Sequence, residues 1–158
     1  MSKLDFVIVA VVSMMLTDTI RPVMAAAESA TAVARDFFEK HNNLEGPNFN
    51  EYSLEEQYEI FIFGNTCIHP PNMELAIKFS RRGAEVIDLL KRKLNQTDDV
   101  LTIVSIIRVF SFMTAVKSYK VANDLELMIF LHAAANDMEE GFWKRKIQHD
   151  LKVIAAGQ

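Results

Sequence analysis

The stretch that decides the fold runs from His69 to Val116, and its last part, residues 98–116, reads DDVLTIVSIIRVFSFMTAV. After Asp99 the apolar residues are interrupted by only five polar ones, which are Thr102, Ser105, Arg108, Ser111 and Thr114. At about 100° per residue these five wind around a helix and do not mark one polar face. A helix that is apolar on all sides is either a core helix or a membrane span.

Two properties of this run favour the core helix. It is shorter than the roughly 20 residues that a membrane-spanning helix needs. Arg108 lies near its middle, where a charged side chain costs about 2.5–3.5 kcal/mol on insertion scales. We therefore predict a buried central helix over residues 98–116.

The first part of the stretch predicts two shorter helices. Pro70 and Pro71 restrict the backbone before Asn72, which is placed to cap a helix that runs to Arg82. Gly83 follows, at a position suited to a left-handed residue or a sharp bend. A second apolar stripe, from Val86 to Leu94, then predicts the next helix.

The rest of the chain also has helical periodicity. A helix is predicted from Glu28 to about His41, and Ser53 with Glu56 has the spacing of a capping box before the next one. Two later helices are predicted to bury one face each, formed by Leu125, Met128, Ile129 and His132, and by Trp143, Ile147, Leu151 and Ile154. The predicted fold is all-α, a compact bundle of antiparallel helix pairs with about seven helices around the helix 98–116.

The N-terminus has the pattern of an export signal. Lys3 precedes the apolar run from Phe6 to Leu16, and small residues follow that permit cleavage after Ala25 or Ala27. We predict a signal peptide over 1–27 and a single all-helical domain over 28–158, exported to the periplasm or secreted, without membrane association after cleavage. The alternative is a retained N-terminal helix or membrane-surface anchor.

Composition excludes several classes of function. The formal net charge of -4 argues against a nucleic-acid partner, because such proteins are normally basic. Cys67 is the only cysteine, so an intramolecular disulfide and a Cys-based zinc cluster are both excluded. Five glycines in 158 residues form no phosphate-binding loop.

The search for catalytic chemistry gives one weak alternative. No two of the four histidines have the i, i+3 or i, i+4 spacing of metal ligands. Cys67 and His69 are two residues apart and could act as a thiol and its base in a hydrolase. No oxyanion hole or orienting group accompanies them, so we predict no enzyme activity, no catalytic residues, no metal and no cofactor.

Charged residues suggest one candidate interaction surface. Three short basic clusters lie at predicted helix ends, where they are either solvated or, if the helices stack side by side, a patch for an acidic partner or an anionic lipid. The residues of this predicted basic patch are Arg81, Arg82, Lys91, Arg92, Lys93, Lys144, Arg145 and Lys146. Glu51, Glu55 and Glu59 form an acidic stripe, which we interpret as a solvated face.

The segment from Glu74 to Leu94, ELAIKFSRRGAEVIDLLKRKL, resembles a divergent HEAT repeat of an exported bacterial type. The resemblance extends over about residues 58–154, and it implies a helical scaffold for protein interactions. The preferred hypothesis is an exported protein-interaction module, such as an adaptor, an inhibitor or an immunity-type factor. It rests on the predicted signal, the small all-α body and the absence of a catalytic constellation. The alternatives are a carrier of a lipid or other apolar ligand and, second, the Cys/His hydrolase.

Overall fold

Seven α-helices follow one another in the part of the chain that the computed structural model describes, which is residues 32–40, 48–68 and 71–157. They are α1 (residues 32–40), α2 (Leu54–Thr66), α3 (Met73–Ser80), α4 (Ile87–Asn95), α5 (Val100–Ala115), α6 (Leu125–Asn136) and α7 (Phe142–Ala155). The predicted signal peptide, its cleavage sites and His69 lie outside the described residues. The all-α prediction is confirmed for these ranges.

The central helix of the bundle is α5, as the sequence predicts. It packs against α2, α3, α4 and α7, and the antiparallel pair α6 and α7 completes the bundle. Ile106, Ile107 and Phe110 have no solvent exposure. Burial of each such side chain contributes about 1.5–3 kcal/mol, so α5 supplies the centre of the hydrophobic core.

Side-chain caps explain where several helices begin. Ser53 and Glu56 form the predicted capping box of α2, and the Asp99 carboxylate accepts a hydrogen bond from the Thr102 backbone N–H at 2.8 Å. At the start of α6, the Asp124 side chain accepts a hydrogen bond from the Leu127 backbone N–H at 3.0 Å. Asn72 has the N-cap position of α3 but makes no capping hydrogen bond through its side chain.

The turn after α3 is joined to the turn after α5. Gly83 has a φ of +59°, as predicted for a left-handed residue at this bend. Ser118 lies against it and donates a hydrogen bond from Oγ to the backbone oxygen of Ser80 at 2.6 Å. These contacts fix the end of α3 against the end of α5.

Two predicted faces differ from the structure. In α6, Leu125 and Ile129 are 74% and 71% exposed. The buried face of this helix consists of Leu127, Met128, Leu131 and Ala135, of which the predicted face contains only Met128. In α7 the stripe formed by Ile147, Leu151 and Ile154 is buried as predicted, but Lys144 takes the place assigned to Trp143. His132, predicted on the buried face of α6, is exposed.

Candidate interaction surface

The predicted basic patch includes Lys91, Arg92 and Lys93 on α4, and all three form ion pairs within the chain. Arg92 and Lys93 pair with Glu55 of α2, and Lys93 also contacts Glu59 with 3.2 Å between Nζ and Oε1. Two residues of the stripe predicted as a solvated face, Glu55 and Glu59, therefore join α2 to α4, whereas Glu51 lies in the preceding turn. The Lys93 ammonium also lies 4.7 Å from the ring centroid of Tyr58, a cation–π distance.

Lys91 connects α4 to α6 and not to α2. Its Nζ donates to the Glu126 carboxylate at 2.9 Å and lies 5.5 Å from the ring centroid of Phe130. The hydrogen bond to Glu126 raises the pKa of Lys91. The interaction braces α6 against α4.

Lys144 is the clearest exception to the predicted basic patch, because it is 8% exposed. Its Nζ donates to the backbone oxygens of Asn136 and Met138 at 2.9 and 3.0 Å, and to Glu140 at 2.8 Å. These oxygens belong to the end of α6 and the following turn, where a cation satisfies carbonyls that have no helical partner. Lys144 is therefore a structural residue of the α6–α7 turn.

The remaining four residues of the predicted basic patch lie on α7 and in the turn after α3. On α7, Arg145 is exposed and Lys146 pairs with Asp150 at 3.6 Å. After α3, Arg81 and Arg82 line a polar depression of about 350 Å³ with Lys78. Arg82 pairs with Glu85 at 2.9 Å. Six of the eight cations of the predicted basic patch therefore form ion pairs within the chain, and Arg81 and Arg145 are exposed. Sequence spacing alone does not show these partners.

A different surface stands out on α6. Leu125, Ile129, Ala133 and Asp137 succeed one another at intervals of four, so they lie along one side of the helix. All four are exposed. We call these residues the α6 stripe. Its first three residues are apolar, and Leu125 and Ile129 are large, so α6 exposes apolar surface to solvent in addition to the face that it buries.

The α6 stripe leads into a groove of about 720 Å³. One wall is formed by α6, and the other by the end of α4 and the start of α5. Ala133 and Asp137 of the α6 stripe line the groove, and its other apolar lining residues are Leu94, Val100, Ile103, Phe130, Ala134 and Met138. The groove exists because α6 packs mainly on α7 and the 3-10 turn Val121–Asn123, which leaves it separated from α5 along this side.

The polar lining of the groove is acidic. Asp98, Asp137 and Glu139 contribute carboxylates, and no lysine or arginine lines the groove within the described ranges. Among the ion pairs of those same ranges, none involves any of the three carboxylates. The groove therefore combines apolar walls with three carboxylates that form no ion pair within the described ranges. Sequence reasoning missed it because its walls come from three helices, although the row 125, 129, 133, 137 was a usable signal.

Cys67, the nucleophile of the hydrolase alternative, lies at the end of α2. Its thiol is exposed, and its Sγ is 3.6 Å from Thr66 Oγ1. The backbone N–H of Cys67 donates to Phe63 O at 2.9 Å, which ends the helix. His69 is outside the described residues, so the pairing of this thiol with a base stays a prediction.

Comparisons with protein-family models, with curated proteins and with solved structures gave no match. Across the described residues, no helix combines the length and the apolar character that crossing a membrane requires. Residues 32–40, 48–68 and 71–157 also contain no group of three or more His, Cys, Asp and Glu side chains placed to hold a metal ion.

Proposed function

We propose that this chain is an exported helical protein-interaction module without catalytic activity, acting as an adaptor, an inhibitor or an immunity-type factor. The observation that supports the proposal is the α6 stripe, in which Leu125 and Ile129 expose 74% and 71% of their surface. Large apolar side chains exposed one helical turn apart beside a groove are typical of a surface that another protein covers. The HEAT-like resemblance implies the same kind of scaffold.

Site-specific photo-crosslinking in producing cells tests this proposal. A photoreactive amino acid replaces Ile129 in one variant and Glu51 in the control, because Glu51 is exposed and lies in the Phe49–Glu51 turn, away from α6 in the sequence. We expect a discrete protein adduct from position 129 and none from position 51. Equal adduct patterns from the two positions, or no adduct from either, would contradict an interaction function for this surface.

A carrier of a lipid or other apolar ligand is the second candidate function. It is favoured by the groove volume of about 720 Å³, which falls within the roughly 300–1,000 Å³ of small-molecule sites. Native mass spectrometry of the protein purified without detergent separates the two functions. A stoichiometric small molecule, lost when Ala134 is replaced by a larger Phe, would support the carrier.

A further inference from the structure

We propose that the α6 stripe and the groove form the docking site for a basic amphipathic helix of a partner protein. This inference rests on the proposed interaction function and names the chemistry of the partner. The observation that supports it is that the exposed α6 stripe continues into the acidic groove, which Ala133 and Asp137 line. A helix of the partner would place its apolar side chains against the α6 stripe and its cations near the groove carboxylates.

The dimensions of the surface fit a helix. From Leu125 to Asp137 the α6 stripe is roughly 18 Å long at about 1.5 Å per residue. A partner helix of about 12–14 residues covers that distance. Helices bound in apolar grooves use anchors spaced at i, i+3 or i+4, and i+7, which matches the four-residue spacing along this surface.

The negative charge of the groove indicates that the partner segment is positively charged. Asp98, Asp137 and Glu139 line the groove without a lysine or arginine among the described lining residues. A basic segment would pair with these carboxylates, whereas an acidic segment would be repelled. The arrangement also disfavours the headgroups of anionic lipids, since these carry the same sign of charge.

Fluorescence anisotropy with a designed peptide provides the test. The probe is a dye-labelled amphipathic peptide of about 14 residues with leucines at helical spacing and lysines on the flanks. Two companions replace its lysines with glutamine or with glutamate. We expect the full-length chain to bind the lysine peptide with a Kd of about 1–100 μM, the glutamine peptide less tightly, and the glutamate peptide least. Added salt should reduce these differences.

Matched charge variants locate the site. The double variant Asp137→Asn/Glu139→Gln removes two exposed groove charges, and Glu51→Gln/Asp88→Asn removes two exposed charges that do not line the groove. We expect the first double variant to bind the lysine peptide about threefold to tenfold less tightly than the wild type does. It should also prefer the lysine peptide over the glutamine peptide less strongly. The second should retain both properties. Ile129→Ser should weaken all peptides, because it removes an apolar anchor without burying a polar group.

Several outcomes would overturn the inference. These are equal binding of the lysine and glutamate peptides, no binding of the lysine peptide, and identical behaviour of the two double variants. Binding to phosphatidylglycerol vesicles in place of the peptide would assign the surface to a membrane. Self-association in sedimentation that Asp137→Asn/Glu139→Gln abolishes would assign it to a second copy. If the peptide test fails but position 129 still gives a protein adduct in cells, only the proposal of a basic partner helix is wrong. If position 129 gives no adduct either, the proposed interaction function is wrong as well.

Discussion

Gly83 and Ser118 are so close that a Cβ at residue 83 would lie 2.7 Å from the backbone oxygen of Ser118. The two residues belong to different turns, one after α3 and one after α5. Backbone meets backbone at this contact, so a side chain at residue 83 could not be accommodated by a change of rotamer. Glycine also suits the φ of +59° at this position.

Gly83→Ala should destabilise the protein by about 2 kcal/mol or more, because the left-handed conformation costs an L-residue about 1–2 kcal/mol before the clash is counted. Urea unfolding measures the change. Gly141→Ala is the matched control, since its extended φ of 170° suits any residue and a Cβ there meets nothing within 4 Å. The control should remain within about 0.5 kcal/mol of the wild type. Similar losses in both variants would contradict the contact with Ser118.

Lys117→Gly should stabilise the protein by about 0.5–1 kcal/mol. Lys117 has a φ of 59° just after α5, where the N–H of Ser118 donates to Met113 O at 3.1 Å, the helix-ending pattern that favours glycine. Thermal unfolding should show a higher Tm. Lys120→Gly is the control, because Lys120 has an ordinary φ of -89°. Glycine relieves no strain there and only increases the conformational freedom of the unfolded chain. A lower Tm for Lys117→Gly would refute the expected relief of strain.

Lys144→Met should lower the free energy of unfolding by about 1–3 kcal/mol, because it leaves carbonyl oxygens of the α6–α7 turn without a donor. Arg145→Met removes the neighbouring exposed cation and should cost less than about 0.5 kcal/mol. Chemical denaturation of both variants measures the difference. If the two substitutions have the same effect, the cation at position 144 does not hold this turn.

The cap of α6 should make a pH-dependent contribution to stability. Hydrogen bonds from the Leu127 N–H and the Tyr119 hydroxyl lower the pKa of Asp124 below its ordinary value of 3.8. A lowered folded-state pKa means that the stabilisation is complete above the unfolded-state pKa and is lost as the pH falls through the folded-state pKa. Asp124→Ala should therefore cost about 1 kcal/mol near neutral pH, and less in acid.

Urea unfolding at about pH 7 and about pH 2 measures whether the free energies of unfolding of Asp124→Ala and the wild type become more similar in acid. Asp124→Asn is the control, because asparagine still accepts the capping hydrogen bond but does not titrate. The free energies of unfolding of Asp124→Asn and Asp124→Ala should differ by a similar amount at both pH values. A cost of Asp124→Ala that does not shrink in acid would exclude the ionised cap.

Much of the helical architecture could be predicted because it depends on local patterns. The apolar run of α5 predicts burial in any all-α arrangement, and the caps at Ser53 and Asp99 depend on residues three positions apart. The side of each helix that is buried was harder to predict. In α7, Trp143 and Lys144 each continue the stripe that ends at Ile154, one at i, i+4 and the other at i, i+3. Hydrophobicity favours Trp143, but the carbonyls at the end of α6 require the ammonium of Lys144.

The candidate surface could not be predicted in the same way. The residues that line the groove are separated by about thirty positions in the chain, so their proximity is a property of the packed helices. The contacts made on α4 by the predicted basic patch could not be predicted for a related reason. Glu55, Glu59 and Glu126 neutralise its cations across α2 and α6, and such pairing depends on how those helices are placed.

Lys144 holds the carbonyls of Asn136 and Met138 on either side of Asp137, although it does not line the groove. If the proposed partner helix binds near Asp137, a mutational scan would score Lys144 as a contact residue, because its removal would free the turn that carries the Asp137 carboxylate. The same scan would miss Ala133, which alanine substitution cannot change. Maps of this surface need a stability measurement for every variant and a bulky substitution at position 133.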